Sequence, residues 1–367
     1  MSNYEENMFK MIEVHMNQTE EQIKSIDARN GFKVFKSKDF NIRSIVYSPD
    51  GNMVGFSPLS SVNIDDCFDG DNLKSDTRAE EYIEGTMINL FHCNNEWHIS
   101  TKSTVGGYNS FYMNGQNKPK TFRCMFDECC QDSNLQLDTL NKEYSYSFVM
   151  KHKENRIINP INENQLYLIA TYKCSSESYP DHINMIIDYK ITNSNVKYPE
   201  IYSFTSKNEL KEKFAMPYTD YILMGVNIFN VNTGNRSKMR NPCYEELKKL
   251  RGNQAKMEFH YLTLRKQNKL DEFLDFFPEY QEDFNLYEAK IINFKNDLFT
   301  NFNDCYLKHV KPLGEYAPKY KNHMFSIHDT YLKTRTPTNI QTVETYLKTI
   351  PEAVLMSSIN YEHRKTI

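Results

Sequence analysis

Short apolar runs cut by polar turns follow one another from Gly31 to about Pro242. Past Cys243 they give way to apolar residues spaced three and four apart. This change of period constrains the chain more than any other feature. The first pattern turns alternate side chains to opposite faces, as antiparallel strands require; the second lays a stripe along a helix. "IRSIVYSPDGNMVGFSP" holds two runs joined by Ser48-Pro49-Asp50-Gly51, residues whose backbone preferences suit a tight turn. "TMINLFHCNNEWHISTKS" repeats the arrangement with Asn94-Asn95 at its tip. "YSYSFVMKHKENRIINPI" and "NQLYLIATYK" continue it, "INMIIDYKITNSN" fits strand or helix, and "DYILMGVNIFNVNTGNRSKMRN" is a further hairpin turning at Asn232 to Asn235. "FRCMFDECCQ" reads as a helix packed on these strands. "YEELKKLRGN", the stretch from Asp271 to Lys311, "HMFSIHDTYLKT" and "NIQTVETYLKTI" carry the helical period, with Thr336-Pro337-Thr338 as the expected N-cap of the last. The expected fold class is α+β: an antiparallel-sheet core over residues 31–250 and an all-helical domain over 251–367. A helical arm over 1–30 precedes them.

A chain of 367 residues with 13% aromatics has the material for two such domains. Its net charge of -4 argues against coating by nucleic acid through bulk basicity, but a local basic groove needs no net excess. The eight cysteines are scattered, and Cys124-x4-Cys129-Cys130 lacks zinc-ligand spacing, so reduced thiols are expected. The opening "MSNYEENMFKMIEVHM" is charged, and no apolar run is long enough to span a bilayer. A soluble, cytoplasmic chain without a membrane partner is the expectation.

Six segments, taken in order, resemble the RNA ligase family typified by the tRNA-repair ligase of T-even phages, over roughly residues 30 to 245. "NIRSIVYSPDGNMVGFSP" is similar to that family's early hairpin. Tyr82-Ile83-Glu84-Gly85-Thr86 lies where Lys-x-Asp/Glu-Gly-Ser/Thr is expected. "ISTKSTVGG" looks like its Thr-Lys/Arg-Gly-Ser segment, and "YSFVMKHKENRIINP" like its stretch ending in Asn-Arg-Ile-Val. "DYILMGVNIFN" takes the place of its Glu-Gly strand, and "RSKMRNPCYEEL" resembles its Lys-x-Lys phosphate motif. The resemblance implies a nucleotidyltransferase core in which a lysine amine attacks the α-phosphate of ATP. Such a lysine must be partly deprotonated, and a site crowded with cations and Mg2+ serves that end. The helices fit an accessory domain.

The departures bear directly on chemistry. Tyr82 stands at the lysine position, Ser147 and Met224 stand where carboxylates are expected, and no Lys-x-Asp/Glu-Gly occurs anywhere in the chain. Glu84, Gly85, Lys102, Asn155, Arg156, Lys238 and Arg240 match the family pattern, and they are the candidate nucleotide- or RNA-binding residues. Tyr82 is a doubtful catalytic candidate, because an ordinary phenol holds its proton up to pH ~10. The leading expectation is a degenerate RNA ligase-like protein that binds RNA ends or a nucleotide, similar to proteins of large DNA viruses and placed in the infected cell's cytoplasm. The alternatives are an active ATP- and Mg2+-dependent ligase with a displaced nucleophile, Lys74 or Lys102, and a scaffold whose helical domain binds a protein partner. Arg236, Lys238 and Arg240 alternate and share one strand face. No metal site is expected: His92 and His98 flank one hairpin and read as satisfied rings, and Trp97 as core.

Overall fold

The computed structural model describes residues 31–37, 42–110, 120–174, 183–232, 234–254 and 256–362. The arm expected over 1–30 lies outside them. The described residues fall into two compact units, one ending at Arg251 and the other beginning at Gly252.

Three antiparallel sheets build the first unit. Strands β1 (Lys33–Ser37), β2 (Ile42–Tyr47) and β3 (Met53–Phe56) form a meander, with the β2–β3 turn where Ser48 to Gly51 predicts it. The central sheet has the order β11-β10-β9-β7-β8, from β7 (Thr86–Cys93), β8 (Glu96–Ser100), β9 (Tyr144–Lys151), β10 (Gln165–Cys174) and β11 (Ile183–Met185). Asn94 and Asn95 turn β7 into β8 at φ 51° and 64°, the left-handed pair that a two-residue hairpin needs and that Asn tolerates. One face of this sheet, with Ile88, Leu90, Tyr146, Phe148 and Leu166, packs against Phe126 of helix α1 (Phe122–Asp132). The Thr121 hydroxyl caps α1 by accepting from the Cys124 N–H. A bulge between Leu168 and Ala170 reverses the alternation of β10, so Ala170 and Tyr172 join Ile45 and Phe56 of the meander in a second core.

A third sheet, ordered β12-β6-β13-β14, combines β6 (Thr77–Glu81), β12 (Ile201–Tyr202), β13 (Gly225–Asn230) and β14 (Arg236–Arg240). Leu210 and Phe214 of helix α2 (Lys207–Phe214) cover its apolar face of Ala79, Val226 and Ile228. A two-stranded ribbon, β4 (Phe68–Asp69) with β5 (Asn72–Leu73), precedes it. Helix α3 (Pro242–Arg251) leaves β14 with Pro at its first position, where the missing N–H costs nothing. Gly252 follows at φ 66°.

The second unit is helical throughout: α4 (Met257–Gln267), α5 (Leu270–Phe276), α6 (Gln281–Phe302), α7 (Pro318–Thr334), α8 (Ile340–Thr349) and α9 (Glu352–Ile359). Phe273, Phe284, Phe294, Leu298, Met324 and Val343 are among its buried residues. The cap expected from Thr336 to Thr338 is instead supplied by Asn339, whose side chain accepts from the Thr342 N–H while Thr342 reaches back. Asn offers the better acceptor and stands directly before the first helical residue. Helix and antiparallel sheet are thus both present, with the helices concentrated at the C-terminal end. Among the described residues no helix is long and apolar enough to cross a membrane.

Candidate functional site

The site grows from the place where β6 ends. The chain leaves Glu81, runs through Tyr82 to Glu84 without regular structure, and enters β7 at Thr86. Gly85 makes that passage: its φ is 152°, and a Cβ there would lie 2.6 Å from the Met150 carbonyl oxygen and 2.6 Å from Val149 Cγ1. Only glycine lets the strand pass so close to β9. Gly225 plays the same part at the start of β13, where a Cβ would meet the Met239 carbonyl oxygen at 2.2 Å with φ at 128°.

Between these two close approaches lies a small cleft of about 110 Å³, lined by Arg43, Tyr82, Gly85, Met224, Arg236 and Lys238, with Glu80 and Asn227 among its further walls. The Lys238 ammonium nitrogen sits 4.5 Å from the centre of the Tyr82 ring. Burial, then the charges of Arg236, Arg43, Arg240 and Lys248, push the Lys238 amine from 10.5 down to about 7. Burial likewise lowers Arg43, which faces Arg236. The Nε atoms of Arg43 and Arg236 are buried without a hydrogen-bond partner. With the Asn227 amide turned to suit its neighbours, its oxygen accepts from Arg236 Nη2 at 3.3 Å and its nitrogen donates to the Ser237 carbonyl at 3.2 Å. Among the described residues no ion pair is formed by Arg43, Arg236 or Lys238. Of the two wall carboxylates, Glu80 is engaged by Arg78 Nε at 2.7 Å, and Glu81 accepts from the Glu200 N–H at 3.4 Å. Unneutralised cations around buried, unused N–H donors make an environment suited to a small anion.

Of the residues the sequence singles out, Tyr82, Gly85 and Lys238 line this cleft. Arg240 lies beside it, close enough to act on both Lys238 and Tyr82, while pairing with Glu245 at 3.0 Å. The Tyr82 hydroxyl is pushed up by burial and by Glu245, against the pull of Arg240, Arg43 and Arg236. Glu84 is buried, and its carboxyl accepts from the backbone N–H groups of Ile158 and Asn159, each at 3.1 Å. Burial raises its pKa, and those bonds partly restore it. Asn155 donates to the Thr86 hydroxyl at 2.8 Å, and Arg156 Nε donates to the Ile158 carbonyl at 2.9 Å. Glu84, Asn155 and Arg156 therefore brace the entry to β7. Lys102 is exposed in the turn after β8, outside the residues lining the cleft. Lys74 donates to the Asp66 carbonyl at 2.8 Å and is also outside the lining.

The two positions without a carboxylate are filled rather than empty. Ser147 is fully buried, its Oγ 2.9 Å from Asn89 Oδ1 and 3.3 Å from the Phe56 carbonyl. Met224 lends its side chain to the wall of the cleft. Among the described residues no cluster of three or more His, Cys, Asp or Glu side chains is placed to hold a metal ion. His98 Nε2 lies 3.2 Å from the Cys93 carbonyl, and Trp97 packs against the central core. Sequence reasoning passed over Arg43 because it stands alone in an apolar strand. Its signal is that isolation: a charge amid Ile42, Ser44 and Ile45 has to be used or neutralised.

An α+β chain with an antiparallel core and a cation-lined cleft between two glycine close approaches is the class of protein that fold and site define. In sequence it is similar to viral RNA ligases. Over 286 residues it is 23% identical to an RNA ligase of Rhodothermus phage RM378, covering 68% of this chain and 64% of the relative. Over 215 residues it is 25% identical to a putative bifunctional polynucleotide kinase/RNA ligase of Autographa californica nuclear polyhedrosis virus, covering 56% of this chain and 28% of the relative. The chain thus spans less than two thirds of either relative's length. No family model matches it. Solved structures similar to it include a putative ATP-dependent DNA ligase from Aquifex aeolicus, with a TM-score of 0.40, 12% identity, and 89% and 80% of the two chains covered. An archaeal ATP-dependent RNA ligase gives a TM-score of 0.41 and 10% identity, with 76% and 70% covered. The resemblance to RNA ligases carried by segments of this chain is therefore matched by curated relatives over 68% and 56% of its length.

Proposed function

We propose that this chain is an RNA ligase-like protein whose cleft binds phosphate groups, either of a nucleotide or of an RNA end, in the cytoplasm of a virus-infected cell. One observation carries the reading: Arg43, Arg236 and Lys238 converge beside Tyr82 without a carboxylate partner among the described residues, and two of their N–H donors are buried and unused. Such a cluster stores repulsion that an anion relieves, and each charge-assisted bond to phosphate is worth ~1.5–3 kcal/mol. Position 82 does not supply the nucleophile, because burial holds the Tyr82 proton more firmly than in a free phenol and its ring faces Lys238. A divalent ion would arrive with the phosphates, since the walls offer no ready set of ligands.

The test is equilibrium binding of ATP, GTP and a 5′-phosphorylated oligoribonucleotide to the full chain, with the unphosphorylated oligoribonucleotide as control. Arg236→Ala is expected to weaken phosphate-dependent binding by about tenfold or more, the loss of one charge-assisted contact. Equal affinity for phosphorylated and unphosphorylated RNA together with no binding of ATP or GTP, or no binding of any of the three, would remove the reading and favour a scaffold.

A further inference from the structure

Lysines are common in this chain, but among the described residues only Lys238 lines the cleft. Its amine has the surroundings that make lysine a nucleophile: a wall of Tyr82 and Met224, guanidinium groups from two strands, and, among the described residues, no carboxylate ion-paired with it. The groups facing it come from every side. Arg43 lies on β2, Glu80 and Glu81 on β6, and Tyr82 in the segment that follows. Asn227 lies opposite it on β13, Arg236 and Arg240 flank it on β14, and Lys248 lies on α3. The nucleophile position at residue 82 lies across the same small space, with its ring centre 4.5 Å from the Lys238 nitrogen. A lysine reaching in from β14 therefore arrives at the place vacated by the family's lysine, from the opposite wall.

We propose that Lys238 is the nucleophile of this chain, its amine attacking the α-phosphorus of a nucleoside triphosphate brought in with its magnesium ion. The inference rests on the phosphate-binding reading above. In the step, the nitrogen lone pair forms the N–P bond and the bond from the α-phosphorus to the bridging oxygen breaks. Pyrophosphate leaves with that electron pair, and one amine proton passes to solvent. Nothing is oxidised or reduced. The product is a lysyl phosphoramidate of a nucleoside monophosphate. Arg43 and Arg236 give the incoming anion its counter-charge, so that its approach does not simply reprotonate the amine. The low proton affinity of Lys238, near 7, keeps a large share of it unprotonated at neutral pH.

The experiment combines binding with intact mass. Full-length chain is incubated with ATP or GTP and Mg2+ or Mn2+. Nucleotide affinity is measured in parallel, and any adduct is mapped by peptide analysis. The expected result is a gain of one nucleoside monophosphate on Lys238, labile to acid as an N–P bond is. Its rate should rise with pH and level off above about 7. Lys238→Arg, whose guanidinium holds its proton, is assayed at nucleotide concentrations that saturate it by the parallel binding measurement, and is expected to lose the adduct by about a hundredfold or more. Lys74→Ala is expected to keep it. Nucleotide binding without an adduct, or an adduct that maps elsewhere or survives Lys238→Arg, overturns the assignment and leaves the phosphate-binding reading standing. Absence of nucleotide binding by the parent chain removes the assignment of Lys238, and removes the phosphate-binding reading too only when 5′-phosphorylated RNA is not bound either.

Discussion

Replacing Lys238 by Met should make the protein more stable while removing its phosphate grip. The amine falls from its ordinary 10.5 to about 7 in the fold, so at neutral pH the folded chain must either lose that proton or hold an ill-favoured charge. At ~1.4 kcal/mol for each tenfold, the drop bounds the cost at ~5 kcal/mol. Lys238 is half-buried rather than sealed off, so solvent screening brings this to ~2 kcal/mol. Met also loses the contact of the ammonium with the Tyr82 ring, worth ~0.5–1 kcal/mol. The net gain at pH 7 is then ~1–1.5 kcal/mol. Its pH dependence has a definite sign. Between the folded value near 7 and the unfolded value of 10.5, the unfolded chain binds the extra proton, so the parent's stability rises with pH and the advantage of Lys238→Met fades. Below about 7 the advantage is complete. Urea unfolding at pH 7 and near pH 9.5 measures both, followed by the fluorescence of Trp97. This is the only tryptophan and packs against the core of the central sheet, so it reports on the unit that holds the cleft. A variant less stable than the parent at pH 7, or a gain of equal size at both pH values, would refute the account of Lys238 as a desolvated cation among cations.

Two further substitutions test the walls. Gly85→Ala must place a methyl 2.6 Å from the Met150 carbonyl oxygen at a φ of 152°, and should cost ~3 kcal/mol or more by the same unfolding assay; a loss under ~1 kcal/mol would mean that the passage beside β9 is not tight. Ser147→Glu, which restores a carboxylate by sequence, should yield a chain destabilised by ~4 kcal/mol or more with no gain in Mn2+ affinity, because the site is buried and its bonds to Asn89 and Phe56 are already made. A stable, metal-binding Ser147→Glu protein would contradict this.

The fold was largely legible because its punctuation is local. Asn94-Asn95 and Ser48 to Gly51 declare their hairpins through residues that tolerate the turns, and the helical period beyond Cys243 needs no partner to be read. Strand β6 and helix α2 were not visible. "TRAEE" alternates too little to announce a strand, and "KNELKEKF" offers only Leu210 and Phe214 to a core. The site was legible by half. Strand alternation put Arg236, Lys238 and Arg240 on one face, and the structure shows that face running from buried Arg236 to exposed Arg240. It could not show that Arg43, nearly two hundred residues upstream, comes to the same cleft, since sheets bring together residues whose separation carries no signal. Nor could it show the intrachain bonds that Glu84, Asn155 and Arg156 make around the entry to β7, because their partners lie far off in the chain or in the backbone.

The departures from the ligase pattern remove one lysine, at Tyr82, and two carboxylates, while Glu84 is kept. Where that pattern has carboxylates, this chain has Ser147, satisfied by neutral neighbours, and Met224, an apolar wall. Of its cations, the lysine expected at position 82 is gone, Lys238 remains in the cleft with Arg240 beside it, and a further guanidinium, Arg43, joins them. Removing negative charge from a site while keeping positive charge raises the local potential, and its first effect is to lower the proton affinity of any amine inside. A lysine at position 82 would have shared that effect with Lys238. With Tyr82 in its place, burial and then the charges of Arg236, Arg43, Arg240 and Lys248 act on Lys238 as the amine lining the cleft among the described residues. The absence of Lys-x-Asp/Glu-Gly is therefore weak evidence for a dead site. On the proposal made above, the substitutions that strip the expected nucleophile leave another amine, across the cleft, for that chemistry.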